Sequence, residues 1–367
     1  MSQPTDSSAW PPPAPRTPRH ARRRKLRRAA LTLVAAMAPW LAGSWGASRS
    51  STCTPRTAHA DPSFWEQVTQ EPEEAARLER YQAEMQRGHQ QASLVLGEGR
   101  QRDVEPLPPL QRRQLTQEAR RAFQRAARIR PTVAEPHYYL AVFTFFALHS
   151  CAQCQFDPAI ATEIVEELEA FEALSPLDPR LTSLLGDRAI LYTRLSGHAT
   201  PAKTREYLER AIADYRAIIA RSAGLRQRWE LTYGNLAEAL MMIGDLEEAI
   251  ATYRLAQRHA STASILLGLA VAMDRDERGV EARTLIRELG PDAVASWEED
   301  VLRGDTFYVP QGEVHYYRAL IAETRGDING AIAAYRQFEQ SNAHPQFAPR
   351  AAANRAALTR AVTRAVR

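Results

Sequence analysis

Apolar residues recur at helical spacing along much of the chain, and the clearest pattern lies between residues 230 and 263. Two apolar stripes with three- and four-residue intervals alternate there with polar positions, which indicates two amphipathic helices. Gly244 and Asp245 separate the stripes. Glycine can end a helix in a left-handed conformation, and aspartate can cap the helix that follows. The pattern therefore predicts a helix hairpin with a tight turn.

The residues of this hairpin follow the order that is typical of a tetratricopeptide repeat, which the segment resembles. A second segment, 312–345, resembles the same repeat. In that family, small residues let the two helices approach closely and large residues fill the space beside them. The residues that the resemblance assigns to packing within and between repeats are Tyr233, Leu236, Ala237, Gly244, Ala249, Tyr253, Ala319, Gly326, Ala331 and Tyr335.

Weaker copies of the repeat surround these two, so that the resemblance covers about residues 110–345. They lie at 135–174, 180–220 and 261–289, and the copy at 180–220 is expected to have extra residues between its helices, around 197–201. Such hairpins stack on their neighbours. The resemblance therefore implies an all-α, right-handed superhelical solenoid of antiparallel helix hairpins, with an irregular segment at 291–311.

Both ends of the stack are predicted to be capped by helices. Residues 61–109 indicate an N-terminal helix followed by a proline-rich linker, because consecutive prolines exclude helix. Residues 346–367 are rich in alanine and arginine and are predicted to form a C-terminal capping helix.

The basic charge of the chain is concentrated in its first 60 residues. The 367 residues carry a formal net charge of +4, but ten of the 47 Lys and Arg residues and only one of the 43 acidic residues precede residue 61. The remainder has 37 basic and 42 acidic residues. Net charge therefore gives no reason to expect a nucleic-acid partner for the repeats.

These first 60 residues have the organisation of an export signal. A proline-rich start and a basic run precede an apolar stretch at 29–46, and Ala58 and Ala60 have the small-x-small spacing of a cleavage site. We therefore expect export to the periplasm or cell envelope. The alternative is an uncleaved inner-membrane anchor at 29–46, because that stretch is close to the lower length limit for a membrane span.

The sequence contains little that indicates catalysis. It has no Gly-rich phosphate loop, no His-Glu-x-x-His and no Gly-x-Ser-x-Gly, so we expect no enzymatic activity, no cofactor and no metal. Cys151 and Cys154 are spaced to close a disulfide, bind a metal or exchange electrons. In an exported protein the favoured interpretation is a structural disulfide, because the periplasm oxidises thiols.

The resemblance also implies a binding surface, because the first helix of each tetratricopeptide repeat lines an inner groove. The side chains predicted to contact a partner there are Tyr138, Glu238, Met241, Tyr316 and Glu323. Their chemistry favours an extended or helical protein segment with apolar anchors. The predicted function is a non-catalytic protein–protein interaction scaffold or adaptor in the bacterial cell envelope. A membrane-anchored assembly factor and a CxxC redox or metal-binding protein are the alternatives.

Overall fold

The computed structural model describes residues 62–96, 107–149, 156–221, 229–304 and 306–365. Ala58, Ala60, the apolar stretch at 29–46, Cys151 and Cys154 lie outside these residues, so the cleavage site, the anchor and the disulfide remain predictions. In the part of the chain that is described, no helix combines the length and the apolar character needed to cross a membrane.

The described residues form fourteen α-helices. They are α1 Pro62–Leu96, α2 Pro109–Ile129, α3 Glu135–His149, α4 Pro158–Leu174, α5 Leu181–Ser196, α6 Pro201–Arg221, α7 Trp229–Ile243, α8 Leu246–His259, α9 Ala263–Arg275, α10 Gly279–Leu289, α11 Pro291–Arg303, α12 Val314–Arg325, α13 Ile328–Ser341 and α14 Ala348–Ala365. Short 3-10 turns at Gln311–Glu313 and Pro345–Phe347 precede α12 and α14.

The helices pack as consecutive hairpins. The pairs α3–α4, α5–α6, α7–α8, α9–α10 and α12–α13 are in contact, and each second helix from α4 to α8 also contacts the first helix of the next hairpin. Helix α14 packs on one end of this series. At the other end α2 packs on α3, and the predicted N-terminal capping helix, α1, shares a hydrophobic cluster with both. Within the unit Glu66–Arg367, the fold is an all-α, right-handed solenoid of tetratricopeptide-like hairpins with helices capping both ends.

The two clearest repeats turn with the same backbone geometry. Gly244 and Gly326 have φ angles of +93° and +81°, in the left-handed region that favours glycine. Asp245 and Asp327 then accept hydrogen bonds from backbone N–H groups in the first turn of the next helix, at 3.3 and 2.9 Å. The α9–α10 turn places Glu277 at φ +62°. This hairpin turn therefore also contains a residue in the left-handed conformation, although that residue is not glycine.

Small side chains separate the two helices of a hairpin. Alanines with 0% exposure lie on both helices of the two clearest repeats, namely Ala237, Ala249, Ala319 and Ala331. The larger Leu236, Tyr253 and Tyr335 are buried beside them. Tyr233 is half-buried, and its ring stacks on His259 at a centroid distance of 5.6 Å. This alternation of small and large side chains sets how closely the helices approach.

The hairpin α5–α6 differs from its sequence-based description. Only residues 197–200 separate the helices, which have 16 and 21 residues against 15 and 14 in α7 and α8. The expectation of extra residues between the helices is therefore wrong. The reason is that proline is accepted in the first turn of a helix, so α6 begins at Pro201.

The irregular segment contains α11, which does not join the hairpin series. Helix α11 packs on α9, whereas α10 packs directly on α12. The residues after α11 continue towards α5, because an added Cβ atom on Gly197 would lie 2.6 Å from the Val309 side chain. The segment 291–313 is therefore an insertion that crosses several first helices. We refer to it below as the insertion.

Substitution of Ala249 tests the register of the hairpins. Ala249→Glu would place a carboxylate in a contact with no free space, so we expect a loss of several kcal/mol and a lower melting temperature. Ala251→Glu is the matched control, because Ala251 is exposed on the same helix. Equal melting temperatures for the two variants would contradict the assigned register.

Candidate binding surface

The inner face of the solenoid is the row of first helices α3, α5, α7, α9 and α12, on the side away from the second helices. Within this row, α7 contacts α9, and α9 contacts α12. The five predicted partner contacts all lie on helices of this row. The insertion and the segment 343–354, which we call the C-terminal segment, contact the same helices.

Glu238 of α7 is bound by one side chain of its own hairpin and one of another repeat. Its carboxylate accepts hydrogen bonds from the hydroxyl groups of Tyr253 at 2.5 Å and Tyr317 at 3.0 Å. The insertion covers this group, because the Tyr308 and Tyr317 ring centroids are 4.5 Å apart and Trp297 donates to the Tyr308 hydroxyl at 3.0 Å. Burial raises the pKa of Glu238, while the two tyrosine hydrogen bonds oppose that rise.

Met241 and Tyr316 have 0% exposed surface. The Tyr316 hydroxyl donates to Asp274 at 2.7 Å, and Arg350 and Asn354 of α14 donate to the same carboxylate at 2.9 and 2.8 Å. Asp274 is itself fully buried. The carboxylate thus ties the end of α9 to α12 and to the C-terminal segment.

Arg275 follows Asp274 in the chain. It lies at the centre of the part of the inner face that the insertion and the C-terminal segment cover, which we call the filled region. Its side chain has 0% exposure, and its Nη2 atom donates to both oxygens of Glu313 at 2.7 and 2.9 Å. The guanidinium carbon lies 4.5 Å from the Tyr316 ring centroid and 4.1 Å from that of Phe347. Arg275 therefore contacts the insertion through Glu313 and the C-terminal segment through Phe347.

The titratable groups around Arg275 are strongly perturbed. Burial raises the pKa of Glu313 to about 7, although the charge of Arg275 opposes the shift. Burial also lowers the pKa of His344 to about 3, so this imidazole is neutral at physiological pH. Its Nε2 atom lies 3.2 Å from the carbonyl oxygen of Val309. These groups form a buried polar core rather than an accessible surface.

The remaining two predicted contacts also have internal partners. Tyr138 is 7% exposed, and the Arg180 guanidinium lies 4.2 Å from its ring centroid. Glu323 accepts hydrogen bonds from Arg283 at 2.9 Å and from Tyr335 at 3.0 Å.

The partner contacts predicted from sequence are therefore corrected. Tyr138, Glu238, Met241, Tyr316 and Glu323 are all buried or bonded within the chain, so we do not retain them as contacts. The physical reason for Tyr138, Glu238 and Glu323 is that arginines and tyrosines of the same hairpin or of other parts of the chain bind them. The insertion and the C-terminal segment also cover parts of the first helices α7, α9 and α12.

Another part of the inner face stays open. On α5, Asp187, Ile190 and Arg194 follow one another at three- and four-residue intervals, and all three are half-buried. Leu231 of α7 is 52% exposed, and Phe307 of the insertion is 48% exposed. We call these five residues the open inner face.

One contact joins two members of the open inner face, Arg194 and Phe307. The Arg194 guanidinium carbon lies 4.3 Å from the Phe156 ring centroid and 5.3 Å from that of Phe307. The insertion therefore forms an edge of the exposed side of α5.

The two charged residues of this surface differ from those of the filled region. Burial raises the pKa of Asp187 to about 7 and lowers the pKa of Arg194. Within the described residues, Asp187 has no hydrogen-bonding or ionic partner, and Arg194 has no acidic partner. The family pattern does not single out either residue. Their shared helix face with Ile190 is the sequence signal that could have found them.

A second surface feature lies on the outer side, between helices α2 and α4. It is a groove of about 460 Å³ whose lining is mainly apolar and includes Ala127, Pro131, Ala170, Ala173 and Leu174, with Arg128 and His137. Leu174 is 39% exposed. This outer groove is the alternative to the open inner face as a binding site for a partner protein.

Comparison with known proteins finds a distant structural similarity only. No family model and no curated protein matches the chain. A structure of PilF from Pseudomonas aeruginosa matches with a TM-score of 0.39 and 17% identity, covering 72% of this chain and 93% of that chain. Yeast Tom70 matches with a TM-score of 0.30 and 13% identity, covering 82% and 74%. Neither similarity is close enough to assign a function.

Replacement of Arg275 tests whether it holds the filled region together. Arg275→Met keeps the length of the side chain but leaves Glu313 without its counter-charge, so we expect a loss of about 3–5 kcal/mol in the free energy of unfolding, measured with urea. Arg278→Met is the control, because Arg278 pairs with Glu281 at the surface and should cost less than about 1 kcal/mol. Similar losses in both variants would show that Arg275 has no special role.

Proposed function

We propose that this protein is a non-catalytic scaffold or adaptor that binds a segment of another protein on the open inner face and acts in the bacterial cell envelope. The observation that carries the proposal is the contrast along one row of helices. The C-terminal part is filled by the chain itself, whereas Asp187, Ile190, Arg194, Leu231 and Phe307 retain exposed surface. Solenoids commonly use such extended inner surfaces for binding.

The distribution of perturbed acids supports a binding rather than a catalytic role. Shifted pKa values mark candidate catalytic groups, but structural networks shift them as well. Glu238 and Glu313 belong to such a network, because each is bonded to neighbouring side chains. Asp187 has a raised pKa, but no nucleophile or second acid is hydrogen-bonded to it in the described part of the chain. The open inner face therefore offers contacts and no assembled catalytic group.

The proposed location rests on the sequence of the first 60 residues. Their basic run, apolar stretch and small-x-small site are the features of an export signal. Retention of residues 29–46 would instead make the protein a membrane-anchored assembly factor with the same binding surface.

Site-specific photocrosslinking in the bacterium that encodes the chain tests the proposal. A benzophenone amino acid is placed at Leu231 on the inner face, at Leu174 in the outer groove and at Leu255 on the second helix of the Leu231 hairpin. These leucines are 52%, 39% and 37% exposed, so all three are accessible residues of the same type. We expect one dominant protein adduct from position 231 and none from the other two.

Each alternative outcome has a definite meaning. Adducts confined to position 174 would move the binding site to the outer groove, and equal adducts at all three positions would contradict a specific inner-face partner. Mass spectrometry of the bait's N-terminus tests the location in the same sample. A start at residue 61 supports cleavage and export, whereas peptides from 29–46 support the anchored alternative.

A further inference from the structure

The open inner face carries two opposite charges at a fixed separation. Asp187 and Arg194 lie on one side of α5, and seven residues at a rise of 1.5 Å place their backbones about 10 Å apart. Ile190 lies between them on the same side. This helix face is therefore acidic at one end, apolar in the middle and basic at the other end.

Neither charge is neutralised by the rest of the described chain. Several buried and half-buried charges of the described residues are paired, as in the Arg188–Asp214 pair at 2.7 Å. Asp187 and Arg194 lack such a partner of opposite charge among the described residues, although both are half-buried. Partly desolvated charges without a counter-charge are unfavourable, and a ligand that supplies the counter-charges recovers that free energy.

The contacts of Arg194 favour the binding of a carboxylate by its guanidinium group. Its guanidinium lies over Phe156 and Phe307, with distances of 4.3 and 5.3 Å to the ring centroids. A guanidinium that packs on aromatic rings keeps its N–H edge for bidentate hydrogen bonds to a carboxylate. The exposed part of Phe307 adds an apolar contact beside it.

We propose that the open inner face binds an extended protein segment that places a basic side chain against Asp187 and an acidic side chain against Arg194, with an apolar residue between them over Ile190. In an extended segment alternate side chains share one face and each residue advances about 3.3 Å, so a basic residue at i, an apolar residue at i+2 and an acidic residue at i+4 face α5 together. Their backbones span about 13 Å, and the long basic side chain adjusts this span to the separation of about 10 Å on α5. The inference rests on the proposed function, because it specifies the partner for the same surface.

The test is a selection of peptide ligands with the full-length chain. A phage-displayed library of random dodecamers is panned on the wild type and on the variant Asp187→Asn. We expect the wild type to enrich sequences in which a Lys or Arg at position i is accompanied by an apolar residue at i+2 and an Asp or Glu at i+4, in either chain direction. On Asp187→Asn the basic residue should no longer be enriched, while the acidic residue should persist.

Synthetic peptides then measure each contact. A selected peptide and its copy with norleucine in place of the basic residue are titrated against wild type, Asp187→Asn and Arg194→Gln by fluorescence anisotropy. We expect norleucine to weaken binding to the wild type at least tenfold and to have little effect on Asp187→Asn. Arg194→Gln should remain sensitive to norleucine, because the two contacts are separate.

Folding of the key variant is checked by its melting temperature. The pKa of Asp187 in the folded protein is about 7, above its ordinary value. The ionised carboxylate therefore lowers the free energy of unfolding at pH 8, and this loss diminishes as the pH falls below 7. Asp187→Asn should therefore be at least as stable as the wild type at pH 8. The control Asp245→Asn changes an exposed acid outside the surface and should bind the peptide like the wild type.

The outcomes separate the inference from the function on which it rests. Selected peptides without the spaced charges, or equal sensitivity to norleucine in the wild type and Asp187→Asn, would overturn the inference and leave a binding surface of other chemistry. Failure to enrich any sequence on the folded wild-type chain would count against both.

Discussion

The ion pair between Arg275 and Glu313 is the interaction on which the C-terminal half of this solenoid depends. Both side chains are removed from water, with exposures of 0% and 1%, and a buried charge is tolerated only when it is paired. Because Glu313 comes from the insertion and the ring of Phe347 comes from the C-terminal segment, their contacts with Arg275 hold both segments on α9. The insertion and the C-terminal segment consequently cover much of the inner face of α7, α9 and α12. On the inner face of the described residues, exposed surface remains on α5, at Leu231 of α7 and at Phe307 of the insertion.

Hairpins were predictable from sequence wherever local chemistry fixes the backbone. Gly244 and Gly326 mark turns that need a left-handed residue, and Ala249 and Ala331 mark positions where only a small side chain fits. The α9–α10 hairpin was harder to locate, because the residue in the left-handed conformation is Glu277 and not a glycine. Pro201 was misleading for a similar reason, since proline can start a helix as well as a loop.

The binding surface was less predictable than the fold. A repeat pattern identifies which side of a helix faces away from its own hairpin, but it does not indicate whether another segment covers that side. Tyr316 illustrates the difference, because its position in the repeat is that of a groove residue and its exposure is 0%. The aromatic residues of the insertion could have indicated from sequence that this segment covers the inner face. Trp297 and Tyr308 in an irregular segment must find a place out of water, and they find it on the inner face.

Oxidative footprinting of the full-length chain by hydroxyl radicals, read by mass spectrometry, is the measurement that tests most directly whether the inner face is divided into a filled and an open part. Methionine and the aromatic residues are the most informative reporters. We expect rapid labelling of Phe307 and slow labelling of Met241, Tyr316 and Phe347, whose exposures are 48%, 0%, 0% and 6%. Labelling of Met241 and Tyr316 as rapid as that of Phe307 would show that the C-terminal part of the inner face is open, and would contradict the division.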